Sequence, residues 1–223
     1  MNTFYPSPIE LAALQITNSA QHDAYAPDYD NQVKTMGCCI ADLLFGLCNE
    51  FTKPGQVLLD IGIGSGLASQ LFSRAGLAVH GMDYSLDMLE ICQAKGFTVG
   101  LKQHDLQQVP WPYQAQVFDF LISCGVFHFI ADLENSFGEA RRVLREGGLF
   151  AFTTKHPPTM ANSLQEADRQ NSGTFEIFSH SSAYVETLMA QDAFNTLKSQ
   201  KCFVGDELFI LRVVQKTNQR KPK

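Results

Sequence analysis

LLDIGIGSG, residues 58–66, decides how the rest of the chain is read. An apolar run ends in Asp60, and Gly62, Gly64 and Gly66 then lead into LASQLFSRA (67–75), whose apolar spacing is helical. A strand that turns through glycines into a helix brings a ligand against bare backbone amides, because glycine permits both the tight turn and the close approach. The spacing is GxGxG, whereas a dinucleotide turn is phrased GxGxxG. Asp60 also repels a pyrophosphate and suits a ligand that carries positive charge.

Outward from this turn, strand-like and helix-like stretches alternate. VLLDI (57–61) is followed by a helix at 67–75, a strand at 77–83 and a helix at 85–95 with Ser85 as cap and Gly96 as stop. Strands at 97–103 and 117–124, a helix at 133–145 and a strand at 147–155 complete the series. Such alternation predicts βαβ units and a parallel sheet covered on both faces. Before it, 7–20 and 32–51 read as helices joined by the loop QHDAYAPDYDN, a flank or lid. After it, 156–173 is polar and rich in breakers, an insertion beside the active face. TFEIFS (174–179) reads as strand, 182–199 as helix, and KCFVGDELFILRVVQK (201–216) as a hairpin turning near Gly205-Asp206. The expected organisation is one domain: flank 1–52, ligand-binding core 53–155, and insertion, helix and hairpin 156–223.

Composition narrows the classes of function. With 223 residues, 45% of them hydrophobic, the chain can bury a core without staples. A net charge of −6 offers no global attraction to nucleic acid or an anionic membrane, so neither partner is expected. The six cysteines form no CxxC pair and most sit in apolar runs, as reduced cysteines do. No metal site and a cytoplasmic location follow as expectations. The first residues lack the charged and apolar regions of an export signal, and no stretch approaches the roughly 18 apolar residues of a membrane span.

A second acid, Asp83, ends the second strand about 20 residues after the first glycine, where a carboxylate takes both ribose hydroxyls of an adenosine moiety. Capping of the helix that begins near Ser85 is the alternative role, and the two are compatible.

With these residues in hand, the chain resembles the class I S-adenosylmethionine-dependent methyltransferases from about Val57 to Lys155. VLLDIGIGSG, HGMDYSLDMLEICQAKG, QHDLQQVPWP, FDFLISCGVFHFI and EARRVLREGGLFAFTTK follow that family's motifs in order. The resemblance implies a Rossmann-like, doubly wound α/β fold with a mainly parallel seven-stranded sheet and an antiparallel last strand. It implies S-adenosyl-L-methionine as cofactor, its amino-acid end cradled by Asp60, Gly62, Gly64 and Gly66. Asp83 would bind the ribose, Tyr84 or Met88 would pack on the adenine, Asp105 would accept from the adenine amino group, and Leu106 would lie close by. Ser123 and Cys124 would sit beside the cofactor, and Tyr25 and Tyr29 would close over it.

Methyl transfer from a sulfonium is an in-line displacement that needs mostly alignment and exclusion of water, and a base only if the acceptor must lose a proton. Substrate residues are expected at the carboxyl ends of the strands: Phe127, His128, His156, His180 and the lid residue Tyr25, with His128 as candidate base. A histidine in an apolar run is also a common packed side chain. KHPP (155–158) lies after the wrong strand for the prolyl motif of amino-methylating nucleic-acid enzymes, and Cys124 lacks the preceding proline of a cytosine-directed nucleophile. The expected reaction is methyl transfer to an O, N or C atom of a small, partly apolar metabolite. A cofactor-binding sensor or partner subunit, a protein methyltransferase and, less well supported, an NAD(P)-dependent oxidoreductase stay open on the residues alone.

Overall fold

The computed structural model describes residues 29–158, 168–171 and 176–218. The helix read at 7–20 and the lid residue Tyr25 lie outside them. Two helices, α1 (Tyr29–Thr35) and α2 (Ile40–Cys48), precede strand β1 (Val57–Ile61). Then come α3 (Leu67–Arg74), β2 (Ala78–Asp83), α4 (Leu86–Ala94), β3 (Thr98–Gln103) and β4 (Phe118–Ser123). A 3-10 turn at Phe127–Phe129, α5 (Glu134–Val143) and β5 (Leu144–Lys155) follow. The chain continues through β6 (Asp168–Asn171), β7 (Glu176–Ser179), α6 (Ser182–Gln191), β8 (Phe194–Val204) and β9 (Glu207–Lys216).

Seven of these strands form one sheet in the order β3-β2-β1-β4-β5-β9-β8. β1 to β5 run parallel, and β9 inserts antiparallel between β5 and β8. From β1 the chain winds outward to β2 and β3, then returns to the other side of β1 as β4. The direction of winding therefore reverses between β1 and β4, and the carboxyl ends of these two strands open the crevice where such sheets hold ligands.

Both faces of the sheet are covered. Leu59, Ile61, Phe150, Phe152 and Val214 pack with Phe137 of α5 and Val185 and Leu188 of α6. On the opposite face Leu58, Val79, Phe120 and Val213 pack with Leu44 of α2, Phe72 of α3 and Leu89 of α4. Each such fully buried side chain contributes about 1.5–3 kcal/mol.

Three elements differ from the sequence reading. The helix expected at 32–51 is two, because Gly37 adopts φ +65° and the Cys38 amide folds back to the Val33 carbonyl at 3.2 Å, ending α1. The helix expected at 182–199 stops at Gln191, and Phe194 onward joins β8, where a ladder with β9 from Phe194↔Lys216 to Val204↔Glu207 outweighs local helix propensity. The polar insertion contains β6, which pairs with β7 as a separate two-stranded sheet.

Candidate active site

The glycine turn leaves β1 at the crevice. The amides of Gly62 and Ile63 both donate to the Met82 carbonyl, at 2.8 and 3.1 Å, so the turn is bound to the end of β2. Gly66 precedes α3 at φ +85°, where an added Cβ would lie 2.6 Å from Phe97 Cζ and 2.8 Å from Cys92 Sγ. This glycine is required for close packing of helix and strand. Gly64, at φ +52°, has nothing among the described residues within 4 Å of an added Cβ, so its bare backbone faces open space there. Gly62 lies against Val126, just past β4, which closes the turn onto the other wall of the crevice.

Two carboxylates frame this turn and behave differently. Asp83 is oriented by backbone: Gly64 N donates to Oδ2 at 2.7 Å and Ser85 N to Oδ1 at 2.9 Å. Ser85 is the cap of α4, its hydroxyl accepting from Met88 N at 3.3 Å, so Asp83 staples the turn beside the cap. Asp60 is 2% exposed. Ser69 Oγ donates to its Oδ2, and Oδ1 has no hydrogen-bond partner among the described residues. Burial, with help from Asp83 and against the Ser69 hydrogen bond, pushes the Asp60 carboxyl up to about 7. A buried oxygen left without a donor is costly, and a cationic group at that position would relieve it.

Other residues expected at the cofactor lie around the same rim. Tyr84 is 64% exposed next to Asp83, whereas Met88 and Leu106 are buried. Asp105 is half-buried, and its Oδ1 accepts from Gln107 N at 2.9 Å, which fixes the loop after β3. At the end of β4, Ser123 is buried with its hydroxyl unpartnered among the described residues, and burial holds the Cys124 thiol well above its ordinary range, so it is a thiol and no nucleophile. Burial, then the nearby Cys124, Cys38, Asp30 and Asp83, push the hydroxyl of Tyr29 on α1 upward.

The segment after β4 differs from the sequence expectation. Phe127 is 0% exposed and packs in the core among Phe137, Phe150 and Phe152, with centroids 5.9–6.1 Å away, so it forms no substrate wall. His180 is a strut: its Nε2 meets the Phe127 carbonyl at 3.0 Å, its amide donates to the Lys155 carbonyl at 2.8 Å, and its ring stacks on Tyr184. His156 is half-buried, with Nδ1 turned to the Pro157 carbonyl at 2.9 Å. His128 is buried against Phe129 and Phe209, and burial, then Lys155 and His180, push it down to about 3. Its imidazole is neutral at physiological pH.

Sequence reasoning missed two charged groupings. Lys155, at the end of β5 and 1% exposed, pairs with Glu207 Oε2 at 3.0 Å. Asp30, Ser65 and Lys95 join α1, the glycine turn and the end of α4. Neither has a local signature, since the partners of the second lie 30–65 residues apart.

Comparison with known proteins agrees with this geometry. Residues 59–152 match the model of a methyltransferase domain. This core is a class I S-adenosylmethionine-dependent methyltransferase domain. It is 34% identical over 127 residues to a malonyl-[acyl-carrier protein] O-methyltransferase of Serratia marcescens, covering 57% of this chain and 47% of that protein. It is also 34% identical over 149 residues to the human methyltransferase-like protein 27, covering 65% and 59%. The chain thus spans about half the length of the curated relatives it matches. An S-adenosylmethionine-dependent methyltransferase from Mesorhizobium loti superposes with a TM-score of 0.64 at 18% identity, over 78% of this chain and 98% of that one, which shows the shared fold.

Membership in this methyltransferase family implies S-adenosyl-L-methionine as the cofactor. The residues fit such a group. Its sulfonium and α-amino group are cationic, and the turn presents a buried carboxylate oxygen without a donor next to the open backbone at Gly64.

Proposed function

We propose that this chain transfers a methyl group from S-adenosyl-L-methionine to an O, N or C atom of a small, partly apolar metabolite. The unpartnered Oδ1 of buried Asp60, beside a glycine turn with open space, is the observation that carries this reading. When bound, the cofactor supplies an electrophilic methyl on a positively charged sulfur.

In this reading Asp60, Gly62, Gly64 and Gly66 hold the amino-acid end of the cofactor. Asp83, already fixed by two amides, accepts the ribose hydroxyls through its remaining lone pairs. Tyr84 covers one side of the adenine, Met88 and Leu106 bound the other, and Asp105 accepts from its amino group. Ser123 and Cys124 stand beside the reacting methyl, and Tyr29 closes over it and excludes water. One methyltransferase domain comprises the flank 1–52, the core 53–155 and the remainder to 223.

On the acceptor side, His128 and His156 remain as contacts, and Phe127 and His180 support them from behind. His128 offers an uncharged hydrogen-bonding group, which orients an acceptor better than it removes a proton, because an imidazole pushed down to about 3 is a weak base. The Serratia relative acts on a carrier-bound acyl group by its name, which favours an oxygen acceptor among the three atoms. The free cysteines suit a reducing, cytoplasmic setting.

Calorimetry with S-adenosylmethionine and S-adenosylhomocysteine tests the cofactor, with both expected to bind and Asp83→Ala expected to lose roughly a hundredfold in affinity. No binding of either, or an Asp83→Ala titration matching wild type, overturns the reading. Transfer of labelled methyl to a panel of metabolites then tests turnover. Tight binding with no transfer to the panel, to proteins or to water would instead mark a cofactor sensor.

A further inference from the structure

Lys95 ends α4, the helix that begins at the proposed ribose turn, yet its side chain leaves that helix for two other elements. Its Nζ donates to the Ser65 carbonyl at 2.7 Å, inside the glycine turn, and forms an ion pair with Asp30 on α1. Asp30 in turn accepts from Ser65 Oγ at 2.6 Å. Three residues thus close a small ring: the lysine holds the turn by its carbonyl, the aspartate holds it by its hydroxyl, and the two charges hold each other. The pair is partly shielded, with the lysine side chain 19% and the aspartate 27% exposed. Tyr29, the neighbour of Asp30, has its hydroxyl near Cys124, Cys38 and Asp83.

The ring ties α1 to the turn through charge. α1 is 7 residues long, with Tyr29 and Val33 half-buried and none of its residues fully buried, so it is too short to persist without such ties. We propose that Lys95 is a positioning residue for the cofactor: through Asp30 it holds α1 and Tyr29 down on the bound ligand, and through Ser65 it fixes the glycine turn beneath. This inference rests on the methyltransferase reading above. Charge supplies the closing force, so salt loosens the lid, whereas an apolar contact would be indifferent to it.

The test uses S-adenosylhomocysteine as probe and five proteins: wild type, Lys95→Met, Asp30→Asn, the double variant of these two, and Lys95→Arg. Stopped-flow dissociation is expected to speed up about tenfold in Lys95→Met and Asp30→Asn, to recover in Lys95→Arg, and to show no further loss when the first two are combined. Wild-type dissociation should quicken between about 0.05 and 0.5 M KCl, while Lys95→Met stays flat, a response that a purely structural lysine would not give. In the ligand-free protein, amide exchange across Tyr29–Thr35 should accelerate in both single variants while β1 and β4 stay protected. Wild-type dissociation rates and salt response in Lys95→Met, together with unchanged exchange across α1, overturn this inference alone. Failure of the wild-type protein to bind the probe overturns the methyltransferase reading and this inference with it.

Discussion

The two walls of the crevice are built in opposite ways. The wall made by β1 and β2 is a turn whose amides are held from within residues 62–88: Gly62 and Ile63 donate to the Met82 carbonyl, Gly64 donates to the Asp83 carboxylate, and Ser85 caps the next helix. The wall made by β4 and β5 is side chains brought from afar: Phe127 packs on Phe150 and Phe152, His180 reaches the Phe127 carbonyl, and Lys155 meets Glu207. A shared ligand can be served by a fixed turn, whereas a wall assembled from distant side chains can change one residue at a time. The difference explains why the cofactor's contacts could be named from the sequence while the second wall gives few hints about the acceptor.

The largest effect should come from breaking the second wall at its base. Phe127→Ala removes a fully buried ring from its contacts with Phe137, Phe150 and Phe152 and should lower unfolding free energy by about 3–5 kcal/mol in urea titrations. A loss under about 1 kcal/mol would return Phe127 to the pocket surface. On the first wall, Gly66→Ala combines a strained φ of +85° with contacts to Phe97 and Cys92 and should cost about 3 kcal/mol. Gly64→Ala faces open space and should cost only about 1 kcal/mol while weakening S-adenosylhomocysteine binding, so the two glycines separate packing from ligand approach. Equal costs at the two positions would erase that distinction.

A smaller effect is expected from Asp60→Asn, and its sign depends on pH. The folded protein holds the Asp60 proton more tightly than the unfolded chain does, since burial raises the carboxyl from 3.8 to about 7. That contribution to stability is present below about pH 4 and is lost as pH rises towards 7. Asp60→Asn should therefore melt above wild type at pH 8, by a margin that shrinks towards pH 5, while binding S-adenosylhomocysteine about tenfold more weakly at pH 8. An unvarying margin in calorimetric scans would refute a raised Asp60. The smallest expected change is at His128, whose imidazole resonances should stay at their neutral positions from pH 8 to pH 5 in NMR titrations. A midpoint near 6.5 would restore it as a general base.

What could be read in advance follows the same division. β1, α3, β2 and α4 are fixed by contiguous signals, an apolar run, alternating glycines and a serine cap, and the structure keeps their order and nearly their bounds. The segment 194–199 carries no such signal: FNTLKS suits a helix until β9 offers it a ladder. Aromatic and histidine residues after β4 announce burial of some kind, but their spacing is silent on which ones face the core. Lys95 resembles any lysine at a helix end, and its partner Asp30 is 65 residues away.

The place of β9 has a consequence for how the molecule is assembled. It is made after every other strand of its sheet, yet lies inside it, with Arg212 opposite Phe152 of β5 and Ser199 of β8. The glycine turn and its parallel strands can organise as they emerge from the ribosome, but the edge of β5 stays bare until β9 arrives. Loop closure over such distances is slow, so the acceptor side of the crevice should be the last part of this protein to take shape during synthesis, and the part most in need of protection until then.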